Sequence, residues 1–134
     1  MDQDSHCADI LVVEDNQINR YLVTNYLHRC GYAYQIASNG QEAVEEYQAK
    51  KPSLVFMDIQ MPVLDGLLAT KEIRRLEEST GQRTPIIAVT ARAQFDDEFL
   101  CLEAGMNDYV SKPMKMESLR DMLDKWLPAR AAAR

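Results

Sequence analysis

Short runs of apolar residues alternate along the chain with longer stretches in which apolar residues recur every three or four positions. The first run, Ile10–Val13, is apolar throughout, which is typical of a strand buried on both faces of a parallel sheet. The stretch after it has helical spacing and ends at Gly31, a residue type that commonly follows a helix. Runs of the first kind predict strands at about Ile10–Val13, Tyr32–Ala37, Leu54–Met57, Ile86–Val89 and Asp108–Val110.

The stretches between and after these runs predict five helices. They lie at about Gln17–Cys30, before Lys51, at about Leu67–Glu78, before Gly105 and before Pro128. Strands that alternate with helices of this length indicate βα units and a mainly parallel sheet. The pattern therefore predicts an α/β fold.

Length and charge narrow the class of protein. At 134 residues the chain has room for one domain, and we expect a disordered segment at 1–8, a domain at 9–128 and a tail at 129–134. Fifteen Lys and Arg against 21 Asp and Glu give a net charge of −6, so the basic surface of a nucleic-acid-binding protein is missing. No apolar run approaches the roughly 20 residues that cross a bilayer, and the N-terminus lacks a basic and then apolar signal. We expect a cytoplasmic protein that contacts neither nucleic acid nor membrane.

Polar residues that can do chemistry stand where the predicted strands end. They are Glu14 and Asp15 after the first strand, Asp58 after the third, Thr90 after the fourth and Lys112 after the fifth. The carboxyl ends of parallel strands share one edge of the sheet, and ligands bind outside it. Neighbouring strands lie only about 4.8 Å apart, so three carboxylates crowd together if the first and third strands are neighbours. Either one carboxylate is protonated or a cation binds, and oxygen-only ligands suit Mg²⁺.

The same residues suggest phosphoryl transfer. An aspartate can act as a nucleophile and form an aspartyl phosphate. Asp58 is the expected acceptor because it ends a central apolar strand and faces the acidic pair. Phosphoryl transfer requires mainly positioning and neutralised charge. Mg²⁺ on Glu14, Asp15 and Asp58 would provide one positive centre. The Lys112 ammonium would provide a second, and Thr90 would offer a hydroxyl to a phosphoryl oxygen.

Four segments at these strand ends carry a family resemblance. They are Val12–Asn16, Met57–Pro62 followed by Asp65 and Gly66, Ile86–Ala91, and Tyr109–Pro113. Taken together they resemble the receiver domain of two-component signalling, from about Ile10 to Leu127. The third-strand segment and the Glu-Asp-Asn triplet resemble receivers of hybrid sensor histidine kinases in particular. The resemblance implies a flavodoxin-like, doubly wound, five-stranded parallel sheet in the strand order 2-1-3-4-5, with five helices.

The resemblance also implies a metal site built around the acceptor. Asp58 would be phosphorylated. Asp15 would bind Mg²⁺ directly and Glu14 through water, and the backbone carbonyl of Gln60 would be the remaining protein ligand. Glu14 stands where many receivers have Asp, a difference that its longer side chain can accommodate.

A conformational switch is implied as well. Thr90 would move toward the phosphoryl group, and Tyr109 would turn inward as Thr90 vacates its space. Lys112 would pair with the phosphoryl oxygens, and the peptide bond between Lys112 and Pro113 would be cis. Arg92 stands at a position that, in the family, helps to set how long the phosphoryl group survives. The chain would catalyse its own phosphorylation and dephosphorylation, without multiple turnover.

The histidine phosphodonor must come from another domain or protein, because neither His6 nor His28 stands near the predicted site. The expected partner is a histidine kinase dimerisation domain or a histidine phosphotransfer protein that docks near the first helix. Ile18, Tyr21 and Leu22 are candidates for this contact, although Ile18 and Leu22 could equally belong to the core. Signal output would use the fourth helix, the fifth strand and the fifth helix.

Other interpretations stay open at this point. Asp15 could merely cap the first helix, Asp58 could open a loop, and Lys112 could be a surface residue at a turn. A stand-alone response regulator would carry the same motifs as the receiver of a hybrid kinase. A hydrolase of the haloacid-dehalogenase kind also uses an Asp nucleophile and Mg²⁺, but its Asp-x-Asp motif is missing after the first strand. A flavodoxin-like cofactor binder needs a phosphate-binding loop where Glu14 and Asp15 stand. An adaptor that is never phosphorylated would not need the full set of site residues.

Overall fold

The computed structural model describes residues 10–59, 65–90, 101–112 and 114–127. Within them the strands are β1 Ile10–Val13, β2 Tyr34–Ala37, β3 Leu54–Asp58, β4 Ile86–Thr90 and β5 Asp108–Ser111. The strands pair in parallel in the order β2-β1-β3-β4-β5. The predicted α/β fold of the flavodoxin-like kind is therefore confirmed, including its strand order.

Helices follow the strands and pack on both faces of the sheet. They are α1 Gln17–Arg29, α2 Gly40–Lys50, α3 Gly66–Glu77, α4, of which residues 101–104 are described, and α5 Met116–Trp126. Both α1 and α4 are followed by a glycine with positive φ, 86° at Gly31 and 108° at Gly105, as the sequence predicts. None of the described helices combines the length and the apolar character needed to cross a membrane.

Alternate residues of the strands contribute to two cores, one on each face of the sheet. Leu11 and Val13 of β1 belong to the core formed with α2 and α3. Ile10 and Val12 belong to the core formed with α1 and α5. Burial on both faces explains why β1, β3 and β4 appear in the sequence as continuous apolar runs.

The edge strand β2 is shorter than the sequence predicts. It begins at Tyr34, whereas the apolar pattern places its start at Tyr32. The Tyr32 N–H donates to Leu27 O at 3.0 Å, and the Gly31 N–H donates to His28 O at 3.1 Å. Tyr32 therefore still belongs to the turn that ends α1, and its ring packs into the core between α1 and the sheet.

A buried polar network lies at the amino edge of the sheet, where β4 and β5 begin. Its centre is Arg74 of α3. The guanidinium donates four hydrogen bonds, to Glu77 Oε1 (2.6 Å), Thr84 O (2.8 Å), Gly105 O (2.9 Å) and Asn107 Oδ1 (2.7 Å). One side chain thus joins α3 to the segment before β4 and to the turn between α4 and β5.

Glu77 is the buried carboxylate of this network. Its second oxygen accepts from the Tyr47 hydroxyl of α2 at 2.6 Å and from the Thr84 N–H at 2.8 Å. Burial disfavours the charged form, but the hydrogen bonds from Tyr47, Thr84 and Arg74 outweigh it and hold the pKa of Glu77 below its ordinary value. Burial and the hydrogen bond to Glu77 raise the pKa of Tyr47 to about 12. The network therefore keeps Glu77 charged and Tyr47 protonated.

Hydrogen bonds connect the end of α5 to the start of β5. Asp108 Oδ2 accepts from Lys125 Nζ at 2.8 Å and from Trp126 Nε1 at 3.1 Å. The Lys125 ammonium also lies 5.5 Å from the centre of the Trp126 ring, within the range of a cation–π contact. These contacts hold the C-terminal end of α5 at the amino edge of the sheet.

Candidate functional site

The register of the sheet brings the predicted strand-end residues to its carboxyl edge. The parallel pairing of β1 with β3 runs up to the residues just before Glu14 and Asp58, which therefore come side by side. Asp58 lies opposite Val89, the neighbour of Thr90 at the end of β4. The Lys112 N–H donates to Thr90 O at 2.7 Å, which places the lysine backbone beside β4. The fold thus gathers residues from four separate strand ends at one edge.

Three carboxylates form a cluster at this edge. Glu14, Asp15 and Asp58 each offer an oxygen, and these three atoms lie within 4.8 Å of one another. Glu14 is 3% exposed and Asp58 is 1% exposed, whereas Asp15 is exposed. The cluster is therefore closed at its base and open to solvent at Asp15. Asp58 is buried at the end of β3, where its carboxylate lies within the cluster.

Lys112 supplies an ammonium to the cluster. Its Nζ lies 2.9 Å from Asp58 Oδ2 and 3.6 Å from Glu14 Oε2. Partial burial disfavours the ammonium, but the hydrogen bond and charge of Asp58, together with the charge of Glu14, raise the pKa of Lys112 above its ordinary value. Lys112 is therefore more than a surface residue at a turn. Two carboxylates lie within 4 Å of this ammonium and Asp15 adds a third to the cluster, so the described cluster has an excess of negative charge.

The segment after β1 orients Glu14 and starts α1. The Asn16 N–H donates to Glu14 Oε2 at 3.2 Å, and Asn16 Oδ1 accepts from the Asn19 N–H at 3.0 Å. Asn16 is therefore the N-cap of α1, and the interpretation of Asp15 as the cap is wrong. An Asn directly before a helical pattern is a sequence signal for a cap, although Asn16 was not predicted to be one. Burial, and then the negative charge of Asp58, raise the pKa of Glu14.

The donors of the cluster suit a hard divalent cation. Mg²⁺ prefers oxygen ligands at about 2.0–2.1 Å and keeps several waters, so two oxygens bound directly to it lie at most about 4.2 Å apart. The three carboxylate oxygens lie within 4.8 Å of one another, which is close to this span. Burial is the main cause of the raised pKa of Glu14, and the negative charge of Asp58, the second cause, is one that a bound cation would compensate. The residues present therefore fit Mg²⁺.

Thr90 and Tyr109, the residues expected to switch, lie on the adjacent strands β4 and β5. Thr90 is buried at the end of β4. Tyr109 is half-buried, pairs with Ala88 of β4 and packs against the core that contains Met57 of β3. A path of direct packing thus connects β5 to the strand that ends at the acidic cluster.

Three of the residues implied by the resemblance lie outside the described part of the chain, namely Gln60, Arg92 and Pro113. The carbonyl ligand at Gln60, the role of Arg92 in phosphoryl lifetime and the cis bond before Pro113 stay predictions. His28 is exposed on α1, and His6 also lies outside the described residues. Within the described ranges, the acidic cluster therefore contains no histidine.

Most of the chain is similar in sequence to known proteins. The family model of the response regulator receiver domain matches residues 10–124. The osmosensing histidine protein kinase SLN1 of Saccharomyces cerevisiae is 40% identical over 134 residues, which cover 96% of this chain and 11% of that kinase. Hybrid signal transduction histidine kinase G of Dictyostelium discoideum is 40% identical over 121 residues, which cover 89% of this chain and 4% of that protein. The chain spans only a small part, between 4% and 16%, of the length of eight curated relatives that it matches.

Solved structures share the fold. The receiver domain of the Saccharomyces cerevisiae response regulator Ssk1, solved with the histidine phosphotransfer signaling protein Ypd1, has a TM-score of 0.87 at 34% identity, covering 93% of this chain and 92% of that one. The receiver domain of sensor histidine kinase PA1611 from Pseudomonas aeruginosa PAO1 holds a magnesium ion in its active site cleft. It has a TM-score of 0.82 at 41% identity and covers 91% of this chain and 98% of that one. Together with the match over residues 10–124, this similarity shows that the chain belongs to the response regulator receiver domain family.

Proposed function

We propose that the chain accepts a phosphoryl group on Asp58, in a reaction that depends on Mg²⁺, and transmits the signal through a change of conformation. The observation that carries the proposal is the 2.9 Å contact between Lys112 Nζ and the buried Asp58 carboxylate, inside a cluster with excess negative charge. The excess of negative charge is unfavourable for folding. Groups in perturbed electrostatic surroundings are enriched at functional sites. Membership of the receiver family supports the same function.

The transfer step follows from the positions of three side chains. One oxygen of Asp58 forms a bond to phosphorus as the P–N bond of a phosphohistidine breaks, and the imidazole nitrogen leaves with the bonding electron pair. Lys112 pairs with the phosphoryl oxygens and compensates their charge, as it does here for Asp58 Oδ2. The Thr90 hydroxyl, at the adjacent strand end, donates to another phosphoryl oxygen. Positioning and charge compensation of this kind are what phosphoryl transfer requires.

Glu14, Asp15 and Asp58 would hold the Mg²⁺, with the backbone carbonyl of Gln60 as a further ligand. When bound, the ion supplies positive charge to the phosphoryl oxygens. The exposed Asp15 gives a cation access from solvent, and the Asn16 N–H keeps the Glu14 carboxylate turned toward the cluster. The magnesium ion in the cleft of the PA1611 receiver supports this assignment.

Phosphorylation would shift the balance between two conformations. The phosphoryl group adds roughly −1.5 to −2 charge at an edge that already has excess negative charge, so the state that brings Thr90 and Lys112 inward is favoured. Tyr109 lies on the strand paired with β4 and would turn inward as Thr90 moves. Signal output would then use the surface formed by α4, β5 and α5.

The phosphodonor would dock on α1. Ile18 is 71% exposed, Tyr21 is 66% exposed and Leu22 is 46% exposed, so these side chains form an apolar surface on the helix that follows Asp15. Ile18 and Leu22 therefore do not belong to the core. A histidine phosphotransfer protein or a histidine kinase dimerisation domain would supply the phosphohistidine. The complex of the similar Ssk1 receiver with Ypd1 supports a partner of the first kind.

The chain would work as the receiver of a hybrid histidine kinase. Matched relatives such as SLN1 and kinase G are histidine kinases many times longer than this chain. The alternative is a stand-alone response regulator. Both assignments require the same chemistry at Asp58 and differ in what is covalently joined to the domain.

Phosphorylation by a small donor tests the proposal. With Mg²⁺ and acetyl phosphate, the protein should gain one phosphoryl group, measured by intact mass, in an acid-stable and base-labile form. Asp58→Asn should abolish the gain because it removes the nucleophilic carboxylate. Asp121→Asn, at an exposed aspartate of α5, is the matched control and should be labelled like wild type. Labelling of Asp58→Asn at the wild-type rate would overturn the assignment of the acceptor.

A further inference from the structure

The first residue of α3 lies directly on the backbone of the proposed phosphoacceptor. A Cβ atom added at Gly66 would stand 2.3 Å from Asp58 O, 2.8 Å from Ile59 Cα and 3.0 Å from Asp58 C. All three are backbone atoms, so none can rotate out of the way as the end of a side chain can. Gly66 is not among the glycines with positive φ. Glycine is therefore needed here for space and not for its backbone conformation.

One hydrogen bond joins the first turn of α3 to this backbone, and two others order the turn itself. The Gly66 N–H lies 3.4 Å from its acceptor, Ile59 O. The hydroxyl of Thr70, which is fully buried, donates to Gly66 O at 2.8 Å. Asp65 Oδ1 accepts from the Leu68 N–H at 2.9 Å and caps the helix. The helix start is thus an ordered turn that lies against the end of β3.

Asp58 is held from the other side as well. Its strand β3 lies between β1 and β4, and the Ile59 N–H donates to Val89 O at 3.2 Å. A side chain at Gly66 could be accommodated only by moving α3 outward or by shifting the Asp58 peptide. The Asp58 carboxylate contacts Lys112 Nζ at 2.9 Å, so a shift of the peptide changes the geometry at the acceptor.

We propose that Gly66 is a positioning residue for phosphoryl transfer. Its missing side chain lets α3 pack on the Asp58 peptide, which fixes the acceptor carboxylate relative to Lys112. The inference rests on the proposed function, because it takes Asp58 as the acceptor. A misplacement of about 1 Å can lower the rate of a reaction about 100-fold. In the sequence Gly66 appears only as part of the motif that follows Met57–Pro62, and its contact with Asp58 depends on the fold.

Two glycine variants form a matched pair for the test. Gly31, just after α1, has a φ of 86°, and a Cβ added there meets no atom within 4 Å. Gly31→Ala therefore strains the backbone and lowers stability without touching Asp58. Gly66→Ala should lower stability and also displace the Asp58 peptide. The measured quantity is the second-order rate constant for labelling by acetyl phosphate with Mg²⁺, divided by the folded fraction from circular dichroism.

Per folded molecule, Gly31→Ala should be labelled at the wild-type rate and Gly66→Ala about 100-fold more slowly. A purely structural role for Gly66 would change only the folded fraction. Equal rates per folded molecule for the two variants, with wild type labelled normally, would overturn the positioning role and leave Asp58 as the acceptor. If wild type itself is not labelled, the proposed function fails, so the two failures are distinguishable.

Thr70 provides the same test if Gly66→Ala does not fold. Thr70→Val keeps the shape of the side chain but removes the hydroxyl that donates to Gly66 O within the first turn of α3. The rate per folded molecule should fall about tenfold as the start of α3 loosens. Thr70→Ser keeps the hydroxyl and should retain the wild-type rate. A wild-type rate in Thr70→Val would count against the inference.

Discussion

The two edges of the sheet each bury a carboxylate beside a cation, but the charges balance at only one of them. At the amino edge the charges balance, because Glu77 pairs with the guanidinium of Arg74. The Tyr47 hydroxyl and the Thr84 N–H satisfy the other carboxylate oxygen. The pKa of Glu77 lies below its ordinary value even though burial opposes the charge. The Glu77 carboxylate therefore has its hydrogen bonds and its charge satisfied by other groups of the protein.

At the carboxyl edge the charges do not balance. Glu14 and Asp58 share the ammonium of Lys112, and Asp15 adds a third carboxylate. Burial and the charge of Asp58 push the pKa of Glu14 upward. The comparison separates a cluster that stabilises the fold from one that leaves charge for a ligand to compensate, and the pKa values of Glu77 and Glu14 are shifted in opposite directions.

The largest expected effect tests the amino edge. Arg74→Met should lower the free energy of unfolding by about 3–5 kcal/mol, because Glu77 is left buried without its cation. Urea unfolding followed by circular dichroism gives the measurement. Arg75→Met on the same helix is the control, since Arg75 is exposed and pairs with Glu72 at the surface, and it should change stability little. If both variants lost equally little stability, the amino-edge network would not be a stabilising cluster.

A smaller effect is expected from Mg²⁺ at the carboxyl edge. A ligand that binds only the folded chain raises the free energy of unfolding by about 2.7 kcal/mol at 100 times its Kd. This gain should be much reduced in Glu14→Gln and Asp58→Asn. Without Mg²⁺, both replacements should raise stability, because each removes one of the crowded negative charges. Equal stabilisation of Asp58→Asn and wild type by Mg²⁺ would place the metal elsewhere.

The smallest expected effect is a dependence on pH at the amino edge. The folded pKa of Glu77 is lowered from 4.5, so its charge stabilises the fold above about pH 4.5 and this contribution is lost as the pH falls through the lower folded value. The difference in unfolding free energy between wild type and Glu77→Gln should therefore shrink as the pH drops. Asp108 and Glu72 also have lowered pKa values, but they affect both proteins alike. A difference that does not vary with pH would mean that Glu77 is not held charged.

The carboxyl edge could be predicted from the sequence because of how buried parallel strands are composed. A strand covered on both faces is a continuous apolar run, and its end is marked by the first polar residue, such as Asp58 after Leu54–Met57 or Thr90 after Ile86–Val89. Parallel strands then bring all such ends to one edge. The gathering of the strand-end residues follows from these two facts without coordinates.

The amino-edge network gave no comparable signal. Arg74 and Glu77 stand three residues apart, a spacing that is ordinary for pairs on exposed helix faces. Their partners come from distant parts of the chain, with Thr84 ten residues and Asn107 33 residues from Arg74. The close approach of Gly66 to the Asp58 backbone also depends on how the helix packs on the sheet. Contacts made by the docking of a helix on a sheet are set by packing in three dimensions and leave no local pattern.

The hydrogen bonds between α5 and β5 determine what the intrinsic fluorescence of this protein can report. Trp126 is the single tryptophan, and its indole donates to Asp108 at the start of β5. Ser111, which pairs with Thr90, lies three residues further along the strand, a distance of about 10 Å. The fluorophore therefore stands away from the acidic cluster, beyond direct quenching by an ion bound there. A change in its emission on phosphorylation would show that the disturbance had travelled the length of the fifth strand.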